Sequence, residues 1–338
     1  LGEVDELVTR GRPPVFGKRY TRQLIERSAE NATDRRRFLK AAGAAGLGVA
    51  GAGALGTALS LGLGSAGATQ QYGQQGGDAA KEAASDAAVL NFALNLEYLE
   101  ANLYSFAVYG YGLNEKYVNG VGNLGKVSGG HAVKFKSEHV KQICQEIAGD
   151  EVAHVNFLRK ALNKAAVAQP EIDFQHSFTA AMQAAGVIKQ GQTFDPFASE
   201  NNFLLAAYLF EDVGVSAYKG AAPLVNNKTF LDAAAGIMAV EAYHAGIVRS
   251  ALFERGLGDI TNKMSDARDS LDGKADDDEG VLKDGKANLV PADANGIAFG
   301  RSADRVLNIA YLNPDKVSSG GFFPRGLNGD IATSGAKE

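Results

Sequence analysis

The chain has 338 residues, room for one large domain or two, and a hydrophobic content of 45% is enough to build a core. A net charge of −5 and a pI near 5.7 argue against a nucleic-acid partner, which favours a basic surface. The single cysteine, Cys144, excludes an intrachain disulfide. The 41 glycines gather in an N-terminal apolar run and in the C-terminal third, where regular structure is not expected.

Residues 1–34 are polar, mixed in charge and interrupted by Pro13-Pro14, so little stable fold is expected there. Next come Asp34-Arg-Arg-Arg-Phe-Leu-Lys40, an uncharged run of Ala, Gly, Leu and Val from Ala41 to Leu63, and Ala66-Gly67-Ala68. A charged region, a mild apolar region and a small-residue site in that order make an export signal over 1–68. Arg35 and Arg36, with Phe38, Leu39 and Lys40, resemble a twin-arginine translocation signal. That resemblance implies the twin-arginine translocase as a partner during export, and a periplasmic, cell-surface or extracellular location. The run is long enough for a membrane span, but its glycines and weak hydrophobicity favour a signal, with cleavage expected after Ala68. No cysteine stands there to carry a lipid, so contact with the membrane is expected only through this region.

Residues 69–84 read as a Gln/Gly/Ala linker. Apolar periodicity then predicts four long helices. The first spans about 85–109 and carries Glu97 on the stripe of Leu90, Leu94, Ala101 and Tyr104. After a Gly- and Asn-rich loop, the second spans about 137–164, with Glu151 among Cys144, Ile147, His154 and Leu158. Gln169-Pro170 and Asp195-Pro196 bracket a long connection with one short helix at about 177–187. The third helix spans about 199–219, with Glu211 among Leu204, Ala207, Gly214 and Tyr218. The fourth spans about 227–255, with Glu241 among Ala234, Ile237, His244, Ala245 and Val248. Beyond Gly256 the periodicity fades into an acidic loop at 272–284, ordered turns at 288–296 and 320–329, and a short helix at 306–312. The fold class is therefore all-α: a four-helix bundle over 85–255 with one long crossover, and an irregular extension, 256–338, wrapping it.

The bundle repeats itself. Glu97 precedes Tyr104 by seven residues, as Glu211 precedes Tyr218. Glu151, His154 and Arg159 recur at the same intervals as Glu241, His244 and Arg249. A carboxylate on an oily stripe is costly unless something positive meets it. Residues three apart share a helix face, so a Glu and a His can grip one ion together. Six donors, Glu97, Glu151, His154, Glu211, Glu241 and His244, suit a pair of metal ions, with Fe first and Mn second for mixed carboxylate and imidazole. The alternative is a bundle of buried salt bridges, for instance to Arg159 or Arg249. Glu100, one turn from Glu97, is either a supporting residue of the centre or a salt-bridged rim residue. Tyr104 and Tyr218 are placed to hydrogen-bond ligand carboxylates across the bundle, or serve as core aromatics. Cys144 reads as a small buried hydrophobe. His131, His139 and His176 carry no motif and read as surface or loop residues.

One Glu from each of two helices and Glu-x-x-His from each of the other two resembles the dimetal ligand set of the ferritin-like superfamily. Asp150 before Glu151 matches the Asp-Glu-x-x-His variant of that motif, which implies that Asp150 orients His244. The equivalent position in the other half is Val240, a departure from it. Leu90-Asn-Phe-Ala-Leu-Asn-Leu-Glu-Tyr-Leu-Glu-Ala101, the Asn288–Gly296 stretch and the Gly320–Gly329 ending resemble the desiccation-related ferritin-like proteins over about 85–330. The resemblance implies an exported stress-associated protein without defining its reaction, and three functions stay open. The first is oxidation of Fe(II) by O2 or peroxide; the second is dimanganese catalase-like chemistry; the third is a protective protein with a structural metal. A homo-oligomer is compatible with each, and the long C-terminal extension disfavours a storage cage.

Overall fold

The computed structural model describes residues 68–336, with side chains from Ser85 onward. The stretch expected to be an export signal, with Arg35, Arg36, Phe38, Leu39 and Lys40, lies outside the described residues. Eight helices follow in order: α1 Ala68–Tyr109, α2 Glu115–Val118, α3 Glu138–Leu162, α4 Ser177–Ala184, α5 Glu200–Ala221, α6 Lys228–Glu254, α7 Gly258–Asp272 and α8 Ala303–Ala310. Two-residue strands β1 (Val127–Ser128) and β2 (Ile172–Asp173) pair in parallel and tie the first loop to the crossover. Strands β3 (Leu282–Lys283) and β4 (Lys286–Ala287) form a small antiparallel pair.

The long helices begin where the sequence supplies caps. The side chains of Ser137, Ser199 and Asn227 accept from the backbone N–H groups of Val140, Asn202 and Thr229 respectively. α1 ends at Gly110, whose φ of 78° is open to glycine at little cost. α1 packs on α3, α5 on α6, and α1 on α5, which makes an all-α four-helix bundle.

The four helices are not alike. α3 and α6 bury one stripe and leave the other open, so Phe157, Tyr243 and Ile247 are exposed. α1 and α5 are buried nearly all round, residues 89–105 and 203–211 without a break. Their outer faces are covered by the crossover and the C-terminal extension. Three asparagines on α1 satisfy the backbone of those covers. Asn91 donates to the Ala165 carbonyl and accepts from Val167 N–H. Asn95 donates to the Asn328 carbonyl at 2.8 Å and accepts from its N–H. Asn102 donates to Gln169 and accepts from Leu113 N–H. On α5, Phe210 meets Phe322 edge-to-face at 4.8 Å, and Phe322 meets Phe178 of α4 at 5.0 Å.

The structure departs from the sequence expectation in two places. α1 starts at Ala68, so the stretch 69–84, expected as a linker, is helical; its Gln and Ala residues tolerate helix better than its glycines suggested. The extension is also less irregular than expected, because α7 occupies 258–272. Its buried residues include Thr261, Ser265, Arg268 and Asp272, so its inward face is polar and leaves no apolar period to detect. That face joins a buried ionic network. Arg268 pairs with Asp278 at 2.6 Å and Asp212 at 3.2 Å, while Arg301 pairs with Asp272 at 2.6 Å and Asp278 at 3.1 Å.

Phe322 is fully buried between α4 and α5. Phe322→Ala is expected to lower stability by about 3–5 kcal/mol in chemical denaturation. Tyr243→Ala, at a residue 71% exposed, is expected to change it by less than about 0.5 kcal/mol.

Candidate metal centre

The inward stripes of α1, α3, α5 and α6 bring Glu97, Glu151, Glu211 and Glu241 to one place, each with 0% exposure, together with His154 and His244. Nδ1 of His154 lies 3.2 Å from Glu97 Oε2, 3.4 Å from Glu241 Oε1 and 3.6 Å from Glu151 Oε2. Nδ1 of His244 lies 3.0 Å from Glu151 Oε1 and 3.6 Å from Glu211 Oε2. Although these atoms are close, none of the contacts is aligned as a hydrogen bond. Eight buried donor atoms have no hydrogen-bond partner: both oxygens of Glu151 and of Glu241, Oε2 of Glu97 and of Glu211, and the two Nδ1 atoms.

Those atoms sort into two groups, each with its ligand atoms within 4.8 Å of one another: Glu97, Glu151, His154 and Glu241; and Glu151, Glu211, Glu241 and His244. Glu151 and Glu241 belong to both. Such groups could bind metal ions, and the donor chemistry fits, since mixed carboxylate and imidazole suits divalent first-row metals.

The remaining oxygens are held from across the bundle. The Tyr104 hydroxyl donates to Glu211 Oε1, and the Tyr218 hydroxyl donates to Glu97 Oε1. Each tyrosine thereby fixes one oxygen and leaves Oε2 directed inward. Asp150, half-exposed, lies with Oδ2 3.2 Å from His244 Nε2. With Val240 in the equivalent place, His154 has no such carboxylate.

The arginines of the repeat do not neutralise the cluster. Arg159 donates to the Tyr98 hydroxyl, next to Glu97. Arg249 pairs with Asp212 at 2.7 Å, next to Glu211, and donates to the carbonyls of Glu279, Gly280 and Asn288. The alternative of glutamates salt-bridged to Arg159 or Arg249 is therefore not what the structure contains. Glu100 is 4% exposed and lies beside the cluster without an arginine or lysine partner among the described residues. Cys144 is buried, which pushes its thiol up to about 12. His131, His139 and His176 are exposed; His131 and His176 pair with Asp195 and Asp173.

Without a metal, protons must offset the charge. Burial, joined by the charge of Glu151, raises Glu97 to about 7. Burial also raises Glu211, and raises Glu241 well above the carboxylate range, reinforced there by the Glu151 charge. Burial opposes ionisation of Glu151 too, but the flanking His154 and His244 outweigh it and hold Glu151 at about 2. Burial opposes charge on the imidazoles, yet Glu151 and Glu211 lift His244 to about 11, and Glu151, Glu241 and Glu97 raise His154.

Comparison with known proteins gives three consistent matches. Residues 85–254 match the family defined by the ferritin-like domain. The chain is similar to the desiccation-related protein PCC13-62 of Craterostigma plantagineum, 30% identical over 264 residues that cover 72% of this chain and 83% of that protein. It is also similar to the ferritin-like catalase Nec2 of Nesocodon mauritianus, 25% identical over 272 residues that cover 73% of this chain and 85% of that protein. No solved structure matches it.

Groups that hold protons more tightly when folded stabilise most below their unfolded pKa, and lose that contribution as pH rises through the folded one. Glu97 loses its share between 4.5 and about 7, and His244 between 6.5 and about 11. Glu151 acts oppositely, but its contribution is lost only as pH falls from 4.5 to about 2. The metal-free protein is therefore expected to melt at a lower temperature near pH 8.5 than near pH 6. Added divalent metal should raise the melting temperature more at the higher pH, as scanning calorimetry would show.

Proposed function

The chain belongs to the ferritin-like family, and on that premise we propose that its six converging side chains hold a carboxylate-bridged pair of metal ions that reacts with O2 or peroxide. The observation that carries the reading is the pair of four-residue groups sharing Glu151 and Glu241, built from buried atoms that have no other partner. Glu151 and Glu241, common to both groups, would serve both ions. Glu97 and His154 would complete one site, and Glu211 and His244 the other. Four carboxylates would balance two divalent charges with both imidazoles neutral. Iron is the first choice and manganese the second. When bound, such a pair supplies two-electron redox chemistry toward O2 or peroxide.

The protein's own part is positioning. Tyr104 and Tyr218 hold Glu211 and Glu97 with Oε2 turned inward. Asp150 takes the outer N–H of His244 and keeps the Nδ1 lone pair free for the centre. The oily stripes and the C-terminal cover exclude bulk water. The similarity to a protein named as a ferritin-like catalase favours peroxide disproportionation as the second reading, for which the centre would hold two manganese ions. A structural metal in a desiccation-protective protein is the third, and the similarity to a desiccation-related protein supports that setting. Arg35, Arg36, Phe38, Leu39 and Lys40 support export through the twin-arginine translocase, to the periplasm, cell surface or medium. The apolar outer stripe of α6 around Tyr243 and Ile247 supports assembly into a homo-oligomer.

Metal analysis of protein prepared from its native host, followed by turnover assays, separates the readings. Iron with rapid Fe(II) oxidation supports the first, manganese with O2 release from peroxide the second, and tightly held metal without turnover the third. Glu151→Ala and Glu241→Ala are each expected to lose both ions, whereas Glu97→Ala and Glu211→Ala lose one. Two ions retained in both bridging variants would overturn the assignment.

A further inference from the structure

The residues three places after the four inward glutamates are Glu100, His154, Gly214 and His244. Two are the imidazoles of the centre. The other two form an unequal pair, a long acid on α1 and a glycine on α5. A Cβ at Gly214 would stand 2.6 Å from Glu241 Oε2 and 3.2 Å from Glu100 Oε1. The room that glycine leaves is therefore filled by two carboxylates, one of them from the proposed bridge Glu241.

Glu100 has no other means of compensation. It makes no hydrogen bond or ion pair with any described residue. A small cavity of about 20 Å³ adjoins it, lined by Leu96, Leu209, Val213, Val306 and Ile309, with Glu100 its one polar side chain. Away from that cavity its neighbours are the other carboxylates, Glu241 first among them. An ionised carboxylate in such surroundings is several kinds of unfavourable at once, desolvated and repelled, unless a cation stands within reach.

Resting on the dimetal reading above, we propose that Glu100 is a seventh protein ligand of the metal pair, entering from the α1–α5 side through the gap left by Gly214. The centre then has five carboxylates and two imidazoles. It is unsymmetrical, since the opposite helix contributes nothing at the equivalent position. A fifth negative charge exceeds what two divalent ions balance, and it favours a centre able to hold a trivalent ion.

The test is titration of the full chain with Co(II), whose visible ligand-field absorption strengthens as coordination number falls. The wild-type chain should bind two Co(II) ions. Glu100→Gln should weaken uptake of at least one ion by about 10- to 100-fold and intensify the absorption. Gly214→Ala should do the same by pushing Glu100 and Glu241 aside, although alanine is the better helix former. It gives an independent reading if Glu100→Gln fails to fold. Two Co(II) ions bound with wild-type affinity and spectrum in both variants would overturn the proposal and leave the dimetal reading standing. Weakened binding with an unaltered spectrum would place Glu100 outside the coordination sphere, and also overturn it. A wild-type chain that binds no Co(II) would overturn both.

Discussion

At the centre of the bundle Glu97, Glu151, Glu211 and Glu241 are fully buried, with no arginine or lysine paired to any of them among the described residues. Glu100 adds a fifth acid at the edge of the same cluster. Like charges in an oily interior repel strongly and are poorly solvated, so this arrangement opposes folding unless cations or protons enter it. The two tyrosines make it specific. By holding one oxygen of Glu97 and one of Glu211, they prevent these carboxylates from swinging into a conformation that would relieve the repulsion another way. The basic side chains nearby are committed elsewhere: Arg159 to Tyr98, Arg249 to Asp212 and three backbone carbonyls. Each arginine thus binds the residue after a buried glutamate of its own half, tying α3 to α1 and α6 to α5 without discharging the centre.

The C-terminal extension serves the same end from outside. α1 and α5 carry Glu97 and Glu211 and are the helices buried nearly all round. Left uncovered, they would expose a large apolar surface and admit water beside the carboxylates. The Asn91, Asn95 and Asn102 ladder lets irregular backbone lie on α1 with its polar groups satisfied. On the α5 side the cover is fastened by ions instead, through Asp212, Arg268, Asp278 and Arg301. The Asn288 and Asn328 segments thus act as fasteners: the first receives Arg249, and the second receives Asn95.

Much of this was legible in the sequence because the long helices obey simple rules. A 3.6-residue apolar period and the caps Ser137, Ser199 and Asn227 place three of their starts within a residue. The candidate cluster was legible because the chain repeats its spacing, so Glu151 with His154 and Glu241 with His244 stand out from chance pairs. What escaped has physical causes. α7 turns Thr261, Ser265, Arg268 and Asp272 inward, and a polar buried face has no hydrophobic signature. The sharing of Glu151 and Glu241 between two groups depends on how four helices sit side by side, which no single helix records. The meaning of Glu100 depended on Gly214, a residue 114 positions away in sequence that matters through the side chain it lacks.

The bond from Asn95 to Asn328 spans 233 residues, and a second from the Asn328 backbone returns to the same side chain. The first helix of the bundle is consequently the last to be closed. During synthesis it must wait, half-bare, until residue 328 has emerged, and the turn around Asn328 then completes that part of its casing. Contacts of such long sequence separation are slow to form. A nascent molecule of this kind is therefore exposed along the very helix that bears two of the acids, and its maturation is timed by its tail.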